Sequence, residues 1–175
     1  MTILVTGSAG FIGYHTCVAL LERGECVVGI DNYSDYYDVT LKKDRVTNLQ
    51  KYERFSFHVG DITSGDFISD LEGKNPEATK IIHLAAQAGV RYSLENPHTY
   101  VQTNVVGYLN ILELARRLKA FEHLVYASSS SVYGGNERLP FSINDRVDTP
   151  ISLYAATKRT DELMGFCYSH LYGIP

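Results

Sequence analysis

Tyr154-Ala155-Ala156-Thr157-Lys158 sets a phenol and an ammonium four residues apart, which places both on one face of a helix. A free tyrosine titrates near pH 10 and is a poor base at neutrality. A neighbouring ammonium favours the phenolate, and a phenolate can take a proton from an alcohol as hydride leaves the same carbon. Ahead of this pair lie four consecutive serines, Ser128 to Ser131, running into Val132-Tyr133-Gly134. Alone, the Tyr/Lys pair reads better as a coincidence on a solvated helix. Its weight comes from the elements around it.

The first of those elements opens the chain. Ile3-Leu4-Val5 is an apolar run suited to a strand buried on both faces, and Gly7, Gly10 and Gly13 follow as G-x-x-G-x-x-G. From Phe11 the pattern turns helical. Ile12, Thr16, Ala19 and Leu20 share one face, and Gly24 caps the end. A strand, a glycine turn and a helix make a phosphate site, because the helix N-terminus directs unpaired N–H groups at an anion. Gly7 permits the tight turn, Gly10 lets a pyrophosphate approach the backbone, and Gly13 allows close packing on the sheet. The spacing is one residue longer than G-x-G-x-x-G. The second run, Cys26 to Ile30, ends at Asp31, about 20 residues past the turn, where an acid meets an adenosine ribose. A carboxylate there accepts from ribose hydroxyls and repels a 2′-phosphate, which favours NAD over NADP.

The 175 residues suit one domain with its own core, covering 1–175. The net charge of −4 gives no electrostatic footprint for nucleic acid. No apolar run approaches a membrane span, and the N-terminus enters the first strand without a basic or signal-like segment. Cys17, Cys26 and Cys167 lack C-x-x-C spacing and read as reduced, mostly buried thiols of a cytoplasmic protein. The six histidines show no metal-ligand spacing, so no metal site is expected.

After the polar, tyrosine-rich stretch Asn32 to Asp38, a helix is expected over Val39–Leu49 and a strand over Phe55–Val59. Asp61 then borders the adenine position, although a plain turn role fits it nearly as well. Asp66–Leu71 reads as a short helix, Gly73–Pro76 as a loop and Lys80–Leu84 as the fourth strand. Ala85-Ala86-Gln87-Ala88-Gly89 is small enough to let backbone approach a ligand. A long helix is expected from Pro97 to Lys119, with Val101, Val105, Tyr108, Leu112 and Ala115 on one face. Asn104 beside that face either bonds backbone near the cofactor or is a satisfied core amide. Leu124–Ala127 is the fifth strand, 134–151 an irregular loop, and Ser152–Leu171 the last helix. This alternation predicts an α/β fold with a doubly wound parallel sheet in the order 3-2-1-4-5.

Together, Thr6 to Gly13, the Ser129 region and Tyr154-x-x-x-Lys158 resemble an extended short-chain dehydrogenase/reductase acting on nucleotide sugars. Within that group, Asp31 to Val39, His83 to Ser93 and Leu153 to Lys158 resemble UDP-glucuronate 4-epimerases, and the similarity runs over essentially the whole chain. The resemblance implies that Gly7, Gly10, Phe11, Ile12 and Gly13 hold the pyrophosphate of NAD. It puts Asp31 and Asn32 on the adenosine ribose, and Asp61 with Ile62 at the adenine. Leu84, Ala85, Ala86 and Gln87 line the nicotinamide side. Tyr154 is the base, Lys158 tunes it and holds the nicotinamide ribose, and Ser129 bonds the reacting hydroxyl. Ser129, Ser130 and Ser131 suit a uronate carboxylate, with Gln87 and Arg91 as further substrate candidates.

The implied reaction oxidises C4 of a UDP-sugar, turns the 4-keto sugar over and returns the hydride to its other face. Dehydratases and decarboxylases of the superfamily carry an acid just before Val-Tyr-Gly, where this chain has serines. A non-catalytic NAD-binding module gives no reason to keep Ser, Tyr and Lys together. The family implies a homodimer through the helices near 97–119 and 152–172. It also implies a second half that supplies most of the nucleotide pocket, so the chain is read as a fragment or a short relative.

Overall fold

A computed structural model describes residues 1–175. Five parallel strands, β1 (Thr2–Thr6), β2 (Cys26–Asp31), β3 (Phe55–Val59), β4 (Ala78–His83) and β5 (His123–Tyr126), form one sheet in the order β3-β2-β1-β4-β5. The predicted order and doubly wound topology are both observed. β1 lies at the centre because its residues have no polar side to expose; Ile3, Leu4, Val5 and Thr6 are all buried. The helices cover both faces. α1 (Phe11–Glu22) and α2 (Val39–Leu49) pack over a core of Ile3, Val5, Cys17, Leu21, Val27 and Leu49. On the other face, α3 (Gly65–Lys74), α6 (Gly107–Arg117) and α7 (Leu153–Tyr172) close over a larger core that includes Leu4, Ile81, Tyr108, Leu112 and Leu124. Two short helices, α4 (Tyr92–Glu95) and α5 (Pro97–Tyr100), lead into α6. No helix is long and apolar enough to cross a membrane.

Caps explain most of the boundaries. Asp38, Ser64 and Ser152 each accept a backbone N–H in the first turn of α2, α3 and α7. Gly24 and Gly173 take positive φ of 81° and 68° just past α1 and α7.

Three expectations are corrected. The buried face of α1 is Gly13, Cys17 and Leu21, one residue on from the stripe through Ile12, and Ile12 itself is exposed. α1 is apolar nearly all round, so periodicity alone did not select a face. The long helix over 97–119 is broken: Val101–Val106 is a π-helical stretch between α5 and α6. Its wider turn rotates the inward face, so that Tyr100 and Asn104 are buried while Val101 is exposed. Of the cysteines only Cys17 is buried, and burial pushes its thiol up to about 12; Cys167 is exposed on α7.

Candidate active site

The sheet brings the glycine turn, Asp31, Asp61, the 84–87 segment and the serines to the same place, beyond the C-terminal ends of the strands. Gly7 has φ +69°, and a Cβ on it would press to 2.8 Å from the Ala85 nitrogen. A Cβ on Gly13 would sit 2.0 Å from the Gly7 carbonyl oxygen. The turn is therefore built for backbone on backbone. α1 differs from α2, α3 and α7 at its start: Gly10 offers no capping side chain, whereas Asp38, Ser64 and Ser152 cap the other three. Its leading N–H groups and dipole are left for an outside anion. Phe11 and Ile12 extend outward there, both largely exposed.

Asp31 is buried at the end of β2. It accepts from the Ala9 N–H at 3.2 Å and the Tyr33 N–H at 2.9 Å, and it pairs with Lys42 at 3.5 Å. It thus ties the glycine turn to the loop after β2. Lys42 was not anticipated, yet a signal existed. Lys42, Val46 and Leu49 form the buried stripe of α2, and a lysine on such a stripe calls for an acid. Asn32 donates to Asp61 at 2.9 Å, and Thr63 donates to the other Asp61 oxygen through its N–H and its hydroxyl. Burial alone would raise the Asp61 carboxyl, but these hydrogen bonds hold it below its usual range. Both Asp61 oxygens therefore already have protein donors. Ile62 is buried against Gly107, and its carbonyl accepts from Asn110 at 2.8 Å.

Beyond β4, Thr6 Oγ1 accepts from the N–H groups of Leu84 and Ala85 at 3.2 and 3.1 Å. Its own hydrogen then goes to His83 Nδ1 at 2.7 Å, which leaves the His83 ring neutral with its proton on Nε2. Burial, reinforced by the Lys158 ammonium, pushes His83 down to about 3. Ala86 is half-buried and Gln87 buried. Asn104 bonds the Gln87 backbone and also reaches Thr157 on α7, so it is a satisfied buried amide.

Ser129 begins the single 3₁₀ turn Ser130–Tyr133 and accepts from the Ser131 N–H at 3.2 Å; Ser130 is exposed. Tyr154 and Lys158 lie on α7, as expected. The Tyr154 ring is half-buried and meets the Tyr100 ring edge-on, centroids 6.1 Å apart. Tyr100, also unanticipated, donates to the Ala88 carbonyl at 2.6 Å and so joins the 84–89 segment to the Tyr154 ring. Lys158 is buried and donates to the Ala127 carbonyl at 2.9 Å and to Asp161 at 3.1 Å. Arg91 stands exposed at the start of α4. No group of histidine, cysteine and acidic residues is arranged to hold a metal ion.

Residues 4–175 match the family described as GDP-mannose 4,6 dehydratase. A probable UDP-glucuronate 4-epimerase of Rhizobium meliloti is 50% identical over 175 residues, spanning 100% of this chain and 51% of that protein. The crystal structure of a UDP-glucuronic acid 4-epimerase from Bacillus cereus, in complex with UDP-glucuronic acid and NAD, aligns with a TM-score of 0.91 at 36% identity. It covers 100% of this chain and 54% of that one. A UDP-glucose 4-epimerase from Thermotoga maritima with UDP-glucose aligns at 0.86 and 30% identity, covering 99% and 53%. The chain spans about half the length of the curated relatives it matches.

Proposed function

The chain belongs to the GDP-mannose 4,6 dehydratase family, and from that premise we propose that it works as an NAD-dependent UDP-sugar 4-epimerase interconverting UDP-glucuronate and UDP-galacturonate. The observation that carries the reading is the shared position of an uncapped α1 behind a glycine turn and a Tyr154/Lys158 pair on α7, both at one edge of the sheet. A backbone cradle that a Cβ would fill at Gly7 and Gly13 fits the pyrophosphate of NAD. Asp31 and Asn32 then face the adenosine ribose, Asp61 and Ile62 the adenine, and Leu84 to Gln87 the nicotinamide side.

NAD supplies the acceptor and later the donor of a hydride. Tyr154 takes the proton of the sugar C4 hydroxyl and returns it after the keto sugar has turned over. Ser129 bonds that oxygen, and Lys158 holds the nicotinamide ribose with the N–H that Ala127 and Asp161 leave free. Neutral hydroxyls at Ser129, Ser130 and Ser131 receive the uronate carboxylate without like-charge repulsion.

The family's name raises a dehydratase as the second reading. Elimination needs an acid beside C5 and C6, and the segment before Val132 offers only serines. The carboxylate of Glu162 does reach this segment, at 2.5 Å from the Ser128 hydroxyl, but it is held by Arg159 at 2.7 Å. A homodimer through the helices near 97–119 and 152–172 accompanies the reading, supported by exposed Leu109, Leu163 and Phe166 on those helices. So does a cytoplasmic location.

The test is NMR of UDP-glucuronate incubated with NAD and a chain that includes any downstream coding sequence. UDP-galacturonate is the expected product. A 4-keto-6-deoxy sugar or a decarboxylated pentose would overturn the proposal.

A further inference from the structure

Tyr154, Lys158, Asp161 and Gly165 follow one another along α7 at i, i+4, i+7 and i+11, a single inward stripe. Asp161 is 1% exposed and Lys158 4%. One Asp161 oxygen accepts from Lys158 at 3.1 Å, while the other, Oδ1, is buried with no partner. The Tyr108 hydroxyl is likewise buried and unpartnered. Gly165, one turn beyond Asp161, leaves room for two hydroxyls: a Cβ there would lie 2.8 Å from that of Tyr126 and 2.9 Å from that of Tyr108.

Stability does not account for this arrangement. A buried ion pair whose lone pairs are only half satisfied is a poorer choice than apolar packing. What the pair does is geometric. A lysine ammonium rides on a four-carbon stem with three rotatable donors. Here two of the three donors are committed, to the Ala127 carbonyl at the end of β5 and to Asp161, so the third has a fixed direction.

We propose that Asp161 is a positioning residue for the Tyr154/Lys158 pair: its carboxylate pins the Lys158 ammonium against the Ala127 carbonyl, leaving one N–H for the cofactor ribose, and its protonation lets the ammonium go. The ribose half rests on the functional reading above; the pinning does not.

Charged and titratable groups face Asp161 from three elements. On its own helix stand Lys158 and Glu162, the latter tied to Arg159. α6 presents Tyr108 and β5 presents Tyr126, both pushed up, first by burial. β4 places His83 by Lys158, neutral down to about pH 3. Burial pushes Asp161 up to about 6, with Lys158 acting against it and Glu162 adding to it.

The experiment follows Lys158 directly in the cofactor-free chain. Its 13Cε resonance, assigned by its loss in Lys158→Met, should inflect near pH 6, and Asp161→Asn should abolish the inflection. A flat profile in the unmodified chain, or the same inflection in the variant, overturns the proposal. The unmodified titration decides this even if the variant fails to fold. NAD affinity is then measured by calorimetry. The unmodified chain should weaken about tenfold from pH 7 to pH 5. Asp161→Asn should be weak and flat across that range, and Asp161→Glu should recover part of the affinity. Equal NAD affinity in Asp161→Asn and the unmodified chain at pH 7 overturns the ribose half. A chain that binds no NAD at any pH overturns the functional reading, and the NMR titration alone then decides the role of Asp161.

Discussion

The Asn104 side chain closes a ring on Gln87, accepting from its N–H at 2.8 Å and donating to its carbonyl at 3.1 Å. Its remaining hydrogen goes to Thr157 Oγ1 at 3.0 Å. One amide thus joins the segment after β4, the π-helical stretch and α7. Asn104→Ala leaves buried backbone groups without partners, each costing roughly 1–3 kcal/mol. Urea unfolding should show a loss of about 2–4 kcal/mol. A change below about 0.5 kcal/mol, the usual scatter of surface substitutions, would show that the brace carries nothing.

The glycine turn separates two kinds of damage. Gly13→Ala drives a Cβ to 2.0 Å from the Gly7 oxygen, and backbone cannot retreat cheaply. That variant should lose both NAD binding and thermal stability. At Gly10 the Cβ meets the Gly7 oxygen at 3.0 Å and then only the Tyr37 hydroxyl at 3.9 Å. Gly10→Ala should keep nearly all of its melting temperature while binding NAD more weakly. Equal melting temperatures for the two variants would contradict this reading of the turn.

NAD should bind in preference to NADP. Asp31 orders the turn through Ala9 and the following loop through Tyr33, with Lys42 balancing its charge. Hydrogen bonds to a charged group are worth roughly 1.5–3 kcal/mol, so Asp31→Ala should weaken NAD about 10- to 100-fold and NADP less. Superimposable calorimetric titrations of the unmodified chain with both cofactors would remove Asp31 as the selector.

Tyr154→Phe keeps the ring that rests against Tyr100 and removes only the hydroxyl. In a chain extended by its downstream sequence, turnover should fall by about 10²–10⁴, the usual contribution of a positioned base. NAD affinity should stay within about twofold, since the change removes no apolar contact. Substantial residual epimerisation would place the base elsewhere.

His83 makes the fold sensitive to acid. Its ordinary value is 6.5 and its folded value about 3. Between those values the unfolded chain binds a proton that the folded chain refuses, so stability falls as pH drops below about 6.5, by up to about 1.4 kcal/mol per pH unit. Asp161 has the opposite sign. Raised from 3.8 to about 6, it takes its proton first in the folded state and adds stability on acidification through that window. His83→Asn removes only the first effect. Urea unfolding across about pH 7 to 4 should therefore show the stability advantage of the unmodified chain over His83→Asn shrinking with acid. A constant difference would mean that His83 takes up its proton without cost to the fold.

Strand order and the pieces of the cleft were legible because they depend on local pattern: apolar runs, a glycine turn, acids at strand ends. Reach was not legible. The buried stripe of α2 shows that Lys42 needs an acid but not that the acid is Asp31, and Asn104 finds Thr157 across 53 residues with no periodic trace. The face of the long helix was misjudged at Val101 because a π-helical stretch breaks the 3.6-residue period from which faces are read. The Lys158/Asp161 pair has ordinary helix spacing, and only burial separates it from a surface i, i+3 pair.

The hydrogen bond between Thr6 and His83 spans 77 residues of chain. During synthesis it divides time as well as space. Ribosomes add roughly 5–20 residues per second, so about 4–15 s pass between the making of Thr6 and that of His83. Throughout that interval β1, the middle strand of the finished sheet, has no β4 to pair with. Until then β2 can pair with one side of β1 and α1 can cover Ile3 and Val5, while the other side of the strand stays open. Such late, non-local closure slows folding and opens a window for wrong pairing. The strand at the centre of the sheet is enclosed only after β4, several elements later in the chain, has been made.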